Sequence, residues 1–150
     1  MPHTFTQLTY HAVFSTKGRV NLVTTELRPR LFPYIAAIVN NGMGQMRTLG
    51  GTANHLHILF DLHQSVAVAD AIRETKSVSS GWVHDTFPQS AGFGWQEGYG
   101  AFSVSASAIP RVTSYIQKQE EHHRTRTFEE EFVAFLDRHG IEYDPRYLWR

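Results

Sequence analysis

The chain contains no cysteine. This excludes disulfides, thiolate metal sites and a cysteine nucleophile, and it is compatible with a reducing compartment. A charge excess of one sign is missing too. Fourteen Lys and Arg balance fourteen Asp and Glu, giving a formal net charge of zero, so bulk electrostatics announces no polyanionic partner. No apolar run approaches the ~20 residues of a membrane-crossing helix. The N-terminal MPHTFTQLTY lacks the basic-then-apolar order of a secretory leader. The expectation is a soluble cytoplasmic protein with no membrane partner. Internal repeats and linker-like stretches are also absent, so a single domain over 1–150 is expected.

The residues that are present have a globular balance: 41% hydrophobic, 13% aromatic and 19% charged. Their charge is unevenly placed. Residues 1–119 hold nine basic and six acidic groups, whereas residues 120–150 hold five basic and eight acidic. A phosphate-binding surface therefore belongs to the first four-fifths of the chain.

Periodicity predicts the elements. Residues 6–15 are rich in Thr, Tyr, Val and Phe and read as a strand, followed by a basic loop at 17–21. Leu27, Leu31, Ile35 and Ile38 recur at helical spacing across 25–41, with Pro33 a possible kink. Two strands follow, near 43–49 and 54–62, with Gly50-Gly51 as their hairpin turn. Residues 66–86 read as a helix, 87–98 as a loop containing Pro88, Gly92, Gly94 and Gly98, and 99–105 as a strand. Pro110 suits the first turn of a helix over 110–124. Thr127 and the three glutamates after it open another helix, to about Arg138. The order β-α-β-β-α-β predicts an α+β, ferredoxin-like (RRM-like) antiparallel sheet with helices on one face and C-terminal helices added. Its other face is expected to be open.

The segment Asn54-His55-Leu56-His57-Ile58-Leu59-Phe60 is the most informative. Strand alternation puts His55 and His57 on one face and the core set Leu56, Ile58 and Phe60 on the other. The two imidazoles stand about 7 Å apart along the backbone, close enough for both rings to reach one cation at about 2.1 Å. Two solvated histidines without a shared ligand are the plainer alternative. A histidine-triad hydrolase requires a third histidine where Leu59 stands. In the helix after Pro110, Tyr115 and Gln119 are four apart and share a stripe that His122 continues. Ordinary packing also accounts for that pair.

Taken together, His55-Leu56-His57 and Tyr115-Ile116-Gln117-Lys118-Gln119 resemble the small single-tyrosine HUH transposases of the insertion-sequence-200-like type. The opening Tyr10-His11-Ala12-Val13-Phe14-Ser15-Thr16-Lys17 and the aromatic, glycine-rich stretch from Trp95 to Phe102 have counterparts there too. The resemblance runs over about 8–124. It implies a divalent metal held by His55, His57 and Gln119, with Tyr115 as the nucleophile on single-stranded, hairpin-containing DNA, in a homodimer. Two imidazoles and an amide oxygen are softer than magnesium prefers, so Mn²⁺ or Co²⁺ is expected to bind well and Mg²⁺ to serve with phosphate oxygens completing its shell. A non-catalytic, domesticated DNA-hairpin-binding relative is the alternative.

Lys17, Arg19, Arg47, Arg73, Lys76 and Arg111 are the candidate phosphate contacts, and solvated surface is the plainer reading of each. Phe93, Trp95 and Tyr99 suit base stacking or packing equally. His122-His123 is expected to cap a helix end, and Glu129-Glu130-Glu131 to complement a helix start.

Overall fold

The computed structural model describes residues 3–149. Its elements run β1 (Thr9–Ser15), α1 (Arg28–Asn40), β2 (Gly44–Thr52), β3 (His55–Leu62), α2 (Val68–Thr86), β4 (Gly100–Ser103), α3 (Ile109–Gln117), α4 (Gln119–His122) and α5 (Phe128–Arg138). The strands form one antiparallel sheet in the order β2-β3-β1-β4. This is the α+β sheet that the sequence pattern predicts.

Register decides what each face carries. In β1 and β3, Val13 lies opposite His57, Ser15 opposite His55, and Ala12 opposite Ile58. One face therefore presents Ala12, Phe14, Leu56, Ile58 and Phe60, and these bury against Leu31, Ile35 and Val39 of α1 and Ala71, Ile72 and Val83 of α2. Helix α1 continues through Pro33.

The opposite face is not open, contrary to expectation. Val13 and Phe102 pack against Phe128, Phe132, Phe135 and Leu136 of α5, while Leu59 and Val104 pack against Ile116 of α3. The reason is α5 itself: its apolar stripe must be buried. Its start is fixed by a capping box in which Glu130 N donates to Thr127 Oγ1 and Thr127 N donates to Glu130 Oε1.

Two expected boundaries also shift. Gly50 and Gly51 lie inside β2, and the reversal falls at residues 53–54. A Cβ on Gly50 would stand 2.4 Å from the Ile116 carbonyl oxygen, so this glycine admits the backbone of α3 against the strand. The helix expected over 110–124 breaks at Lys118 (φ −107, ψ 26), separating α3 from α4. Among the described residues, no helix is long and apolar enough to cross a membrane.

Candidate functional site

Strand alternation places His55 and His57 on the face covered by α3, α4 and α5. Both imidazoles are 0% exposed, so the plainer alternative of two solvated histidines does not hold. Burial, then the neighbouring His57, lowers the His55 pKa to about 3. Each ring is tethered at Nδ1. His55 Nδ1 lies 2.9 Å from both Thr52 Oγ1 and Asn54 Oδ1. His57 Nδ1 lies 2.7 Å from Nε2 of His11, a buried neighbour on β1. Burial, then His57, likewise holds the His11 pKa well below its ordinary value. These tethers turn the Nε2 atoms of His55 and His57 towards the same space.

Three elements fill that space. Gln119, at the start of α4, is 2% exposed and sets Oε1 3.0 Å from His55 Nε2. His123 follows one turn later. Its Nε2 is buried without a hydrogen bond and lies 3.2 Å from Glu131 Oε1. Glu131 descends from α5 and is 1% exposed. Its Oε1 accepts from His57 Nε2 at 2.8 Å and lies 3.6 Å from His55 Nε2. One ligand atom from each of His55, His57, His123 and Glu131 lies within 4.8 Å of the others.

Tyr115 enters from α3. Its hydroxyl donates to Glu131 Oε2, its ring lies 5.9 Å from that of His57, and His122 stacks on it at 4.5 Å. Burial, then the hydrogen bond and charge of Glu131, pushes the phenol's pKa above its ordinary value. Burial opposes the charge of Glu131, but the nearby His123 ring and the hydrogen bonds from His57 and Tyr115 outweigh it and hold the carboxyl well below the usual range. The phenol and the histidine pair thus meet within one chain.

Sequence reasoning missed His11, His123 and Glu131. His123 is the C-cap residue of α4, its backbone N–H donating to the Gln119 carbonyl, but its ring turns to Glu131 rather than to the helix end. Glu131 does more than complement a helix start. Its signal was present: Phe128, Glu131, Phe132, Phe135 and Leu136 form one buried stripe, and a carboxylate within it needs a partner. The donor set fits a divalent cation, because His123 Nε2 is an orphaned buried atom facing a carboxylate and two further imidazoles.

The basic candidates disperse. Lys76 donates to the carbonyls of Gln96, Glu97 and Gly98 at 2.9, 3.2 and 2.7 Å, and burial lowers its pKa to about 8. It shares a groove with Lys17, Arg73, Trp95 and Tyr99. Arg47 pairs with Asp61 at 2.8 Å and Arg73 with Asp70 at 2.9 Å. Arg19 lies 4.0 Å from Glu129 and over the Trp149 ring. Arg111 lines a cleft that opens beside Tyr115, together with Arg138 and His139. Among the described residues, Lys17 and Arg111 have no carboxylate within ion-pair reach. Phe93 is buried, and Trp95 packs on Phe14 while its Nε1 donates to Ser79. Packing rather than open stacking accounts for both.

The model of the family described as "Transposase IS200 like" matches residues 4–119. Among solved structures, the chain is similar to a candidate transposase from Deinococcus radiodurans R1, with 19% identity and a TM-score of 0.62, covering 79% of this chain and 96% of that one. It is also similar to a REP-associated tyrosine transposase bound to a REP hairpin, with 14% identity and a TM-score of 0.59, covering 82% of this chain and 74% of that one. At such identities the likeness establishes the fold. No curated protein matches the chain.

Proposed function

The chain belongs to the IS200-like transposase family, a family of DNA-cleaving enzymes, and from that premise we propose that it cuts and rejoins single-stranded DNA through a covalent 5′-phosphotyrosine on Tyr115. The observation that carries this reading is that Glu131 is hydrogen-bonded to both Tyr115 and His57 and lies 3.6 Å from His55, all in one chain. His55, His57 and Gln119 would hold a divalent cation, Mg²⁺ or Mn²⁺, while DNA is bound. Bound there, such an ion offsets the charge of a phosphodiester and stabilises the charge that develops in its transition state.

The chain's own residues do the rest. Tyr115 oxygen attacks phosphorus after the phenol has lost its proton, and the bond to O3′ breaks. The 5′ phosphate is then joined to Tyr115, and the released 3′ oxygen takes up a proton. Because the ester retains the bond energy, a 3′ hydroxyl can reverse the step and rejoin DNA without ATP. Arg111, beside Tyr115 in its cleft, contacts the strand's phosphates. Lys17, Arg73 and Lys76 border a groove suited to the backbone of a hairpin stem. Arg19 and Arg47 are outlying contacts, each already facing a carboxylate. The chain acts as one domain, because α5 closes the same site that the sheet and α3 build. A homodimer holds two DNA ends, and no residue of the site has to come from the second copy.

The test is incubation with a hairpin-bearing single-stranded oligonucleotide and Mn²⁺. A covalent protein–DNA adduct that disappears in Tyr115→Phe supports the reading. The complete burial of His55 and His57 favours a second reading, a hairpin-binding protein that does not cut. Binding without an adduct identifies that case.

A further inference from the structure

The family match ends at Gln119, yet the side chains that crowd the histidine pair continue beyond it. The geometry points to a protein-built metal site in which His123 and Glu131 join His55 and His57, a set of three imidazoles and one carboxylate that selects a zinc-like ion. Four protein ligands leave a tetrahedral ion no open position, so this is the resting site of the DNA-free chain, and one ligand must leave it before a phosphate can bind. It rests on the proposed function's metal-bearing reading of His55 and His57.

Three observations carry it. The first is spacing. Ligands held about 2.05 Å from one tetrahedral ion stand about 3.3 Å from each other. The three Nε2 atoms lie 2.8, 3.2 and 3.6 Å from Glu131 Oε1, around that edge length, and the four ligand atoms together lie within 4.8 Å of one another, so the imidazoles draw closer when an ion binds. The second is an orphan. His123 Nε2 is buried with no hydrogen bond, and an unpaired buried nitrogen is costly unless something binds it. The third is the surrounding support. His55 Nδ1 sits on Thr52 and Asn54, and His57 Nδ1 on His11, which is the outer arrangement that orients histidine ligands.

The chemistry of the set decides the ion. Magnesium favours six oxygen ligands and retains water, whereas three imidazole nitrogens in a dry pocket suit Zn²⁺ or Co²⁺. Glu131 also ties the site to the nucleophile, since its Oε2 accepts from Tyr115 while its Oε1 faces the imidazoles. Gln119 remains against His55 as an adjacent oxygen donor.

The test uses the metal-stripped full chain titrated with Zn²⁺ by calorimetry, followed by zinc-edge X-ray absorption to count imidazoles. Wild type is expected to bind one Zn²⁺ through three imidazoles and to prefer it to Mg²⁺. His123→Ala should lose one imidazole from the spectrum, and both His123→Ala and Glu131→Gln should weaken Zn²⁺ binding at least tenfold, with far-UV circular dichroism checking the fold. Should either variant fail to fold, His123→Gln and Glu131→Ala take their places. Two imidazoles in wild type, or variants that bind as wild type does, overturn the inference while leaving the proposed function standing if Mn²⁺ still supports a Tyr115 adduct. A wild-type chain that binds no divalent ion overturns both.

Discussion

The Tyr115 hydroxyl donates to Oε2 of Glu131, a residue sixteen positions later on a different helix. The other oxygen of the same carboxylate faces His55, His57 and His123. One buried acid therefore links the Tyr115 phenol to the imidazole cluster. As found, it holds the phenol protonated, because burial and the adjacent negative charge both disfavour phenolate.

Tyr115→Phe should abolish the DNA adduct and leave hairpin binding intact, measured by denaturing gel and by fluorescence anisotropy. It should also cost about 1–2 kcal/mol in urea unfolding, because Glu131 loses one charge-assisted partner but keeps its histidines. Retained adduct would assign the nucleophile elsewhere.

His11 is not itself a proposed ligand but lies 2.7 Å from Nδ1 of His57, which is. His11→Phe should lower divalent-metal affinity by about 10–100-fold, the usual effect of removing a residue that orients a histidine ligand. Calorimetric titration of the folded variant checks it, and an unchanged affinity would remove His11 from the site.

The metal-free protein should lose stability on acidification. Unfolded His55 titrates near 6.5 and folded His55 near 3. Between these values the unfolded chain binds a proton that the folded chain does not, so stability falls as pH drops through that window. The slope is up to about 1.4 kcal/mol per pH unit for this one residue. His11, lowered in the same direction, adds to it. Thermal melts from pH 7.5 to 4.5 test the sign, and a flat or rising Tm on acidification contradicts it.

Gly50→Ala should push α3 off β2, since the new Cβ would meet the Ile116 carbonyl oxygen at 2.4 Å. Overpacking of this kind costs about 1–3 kcal/mol. Tyr115 neighbours Ile116, so adduct formation should fall further than hairpin binding does. Parallel decline of both would mean general unfolding instead.

Arg111 and Lys76 should part company. Arg111→Ala is expected to weaken DNA binding and reduce the salt slope by about one. Lys76→Ala releases the 96–98 loop carbonyls, so it should lower Tm as well as affinity. Binding isotherms at several salt concentrations separate the two.

The local pattern alone determined a good deal. Alternation in His55–Phe60 settled which side chains share a face, and the order of elements settled the antiparallel sheet, because both depend on neighbours along the chain. The four-residue spacing of Tyr115 and Gln119 placed them near one another even though the helix breaks at Lys118. Whether the histidine face would be bare or covered was not local information. It depended on α5 folding back, driven by Phe128, Phe132 and Phe135, which meet Val13 and Phe102 more than a hundred residues away in some cases. The same packing carried Glu131 into the cluster, although its place beside two other glutamates reads as a solvated helix start. Tertiary burial reversed that reading, because a carboxylate cut off from water keeps its charge only where partners such as His57, His123 and Tyr115 converge on it.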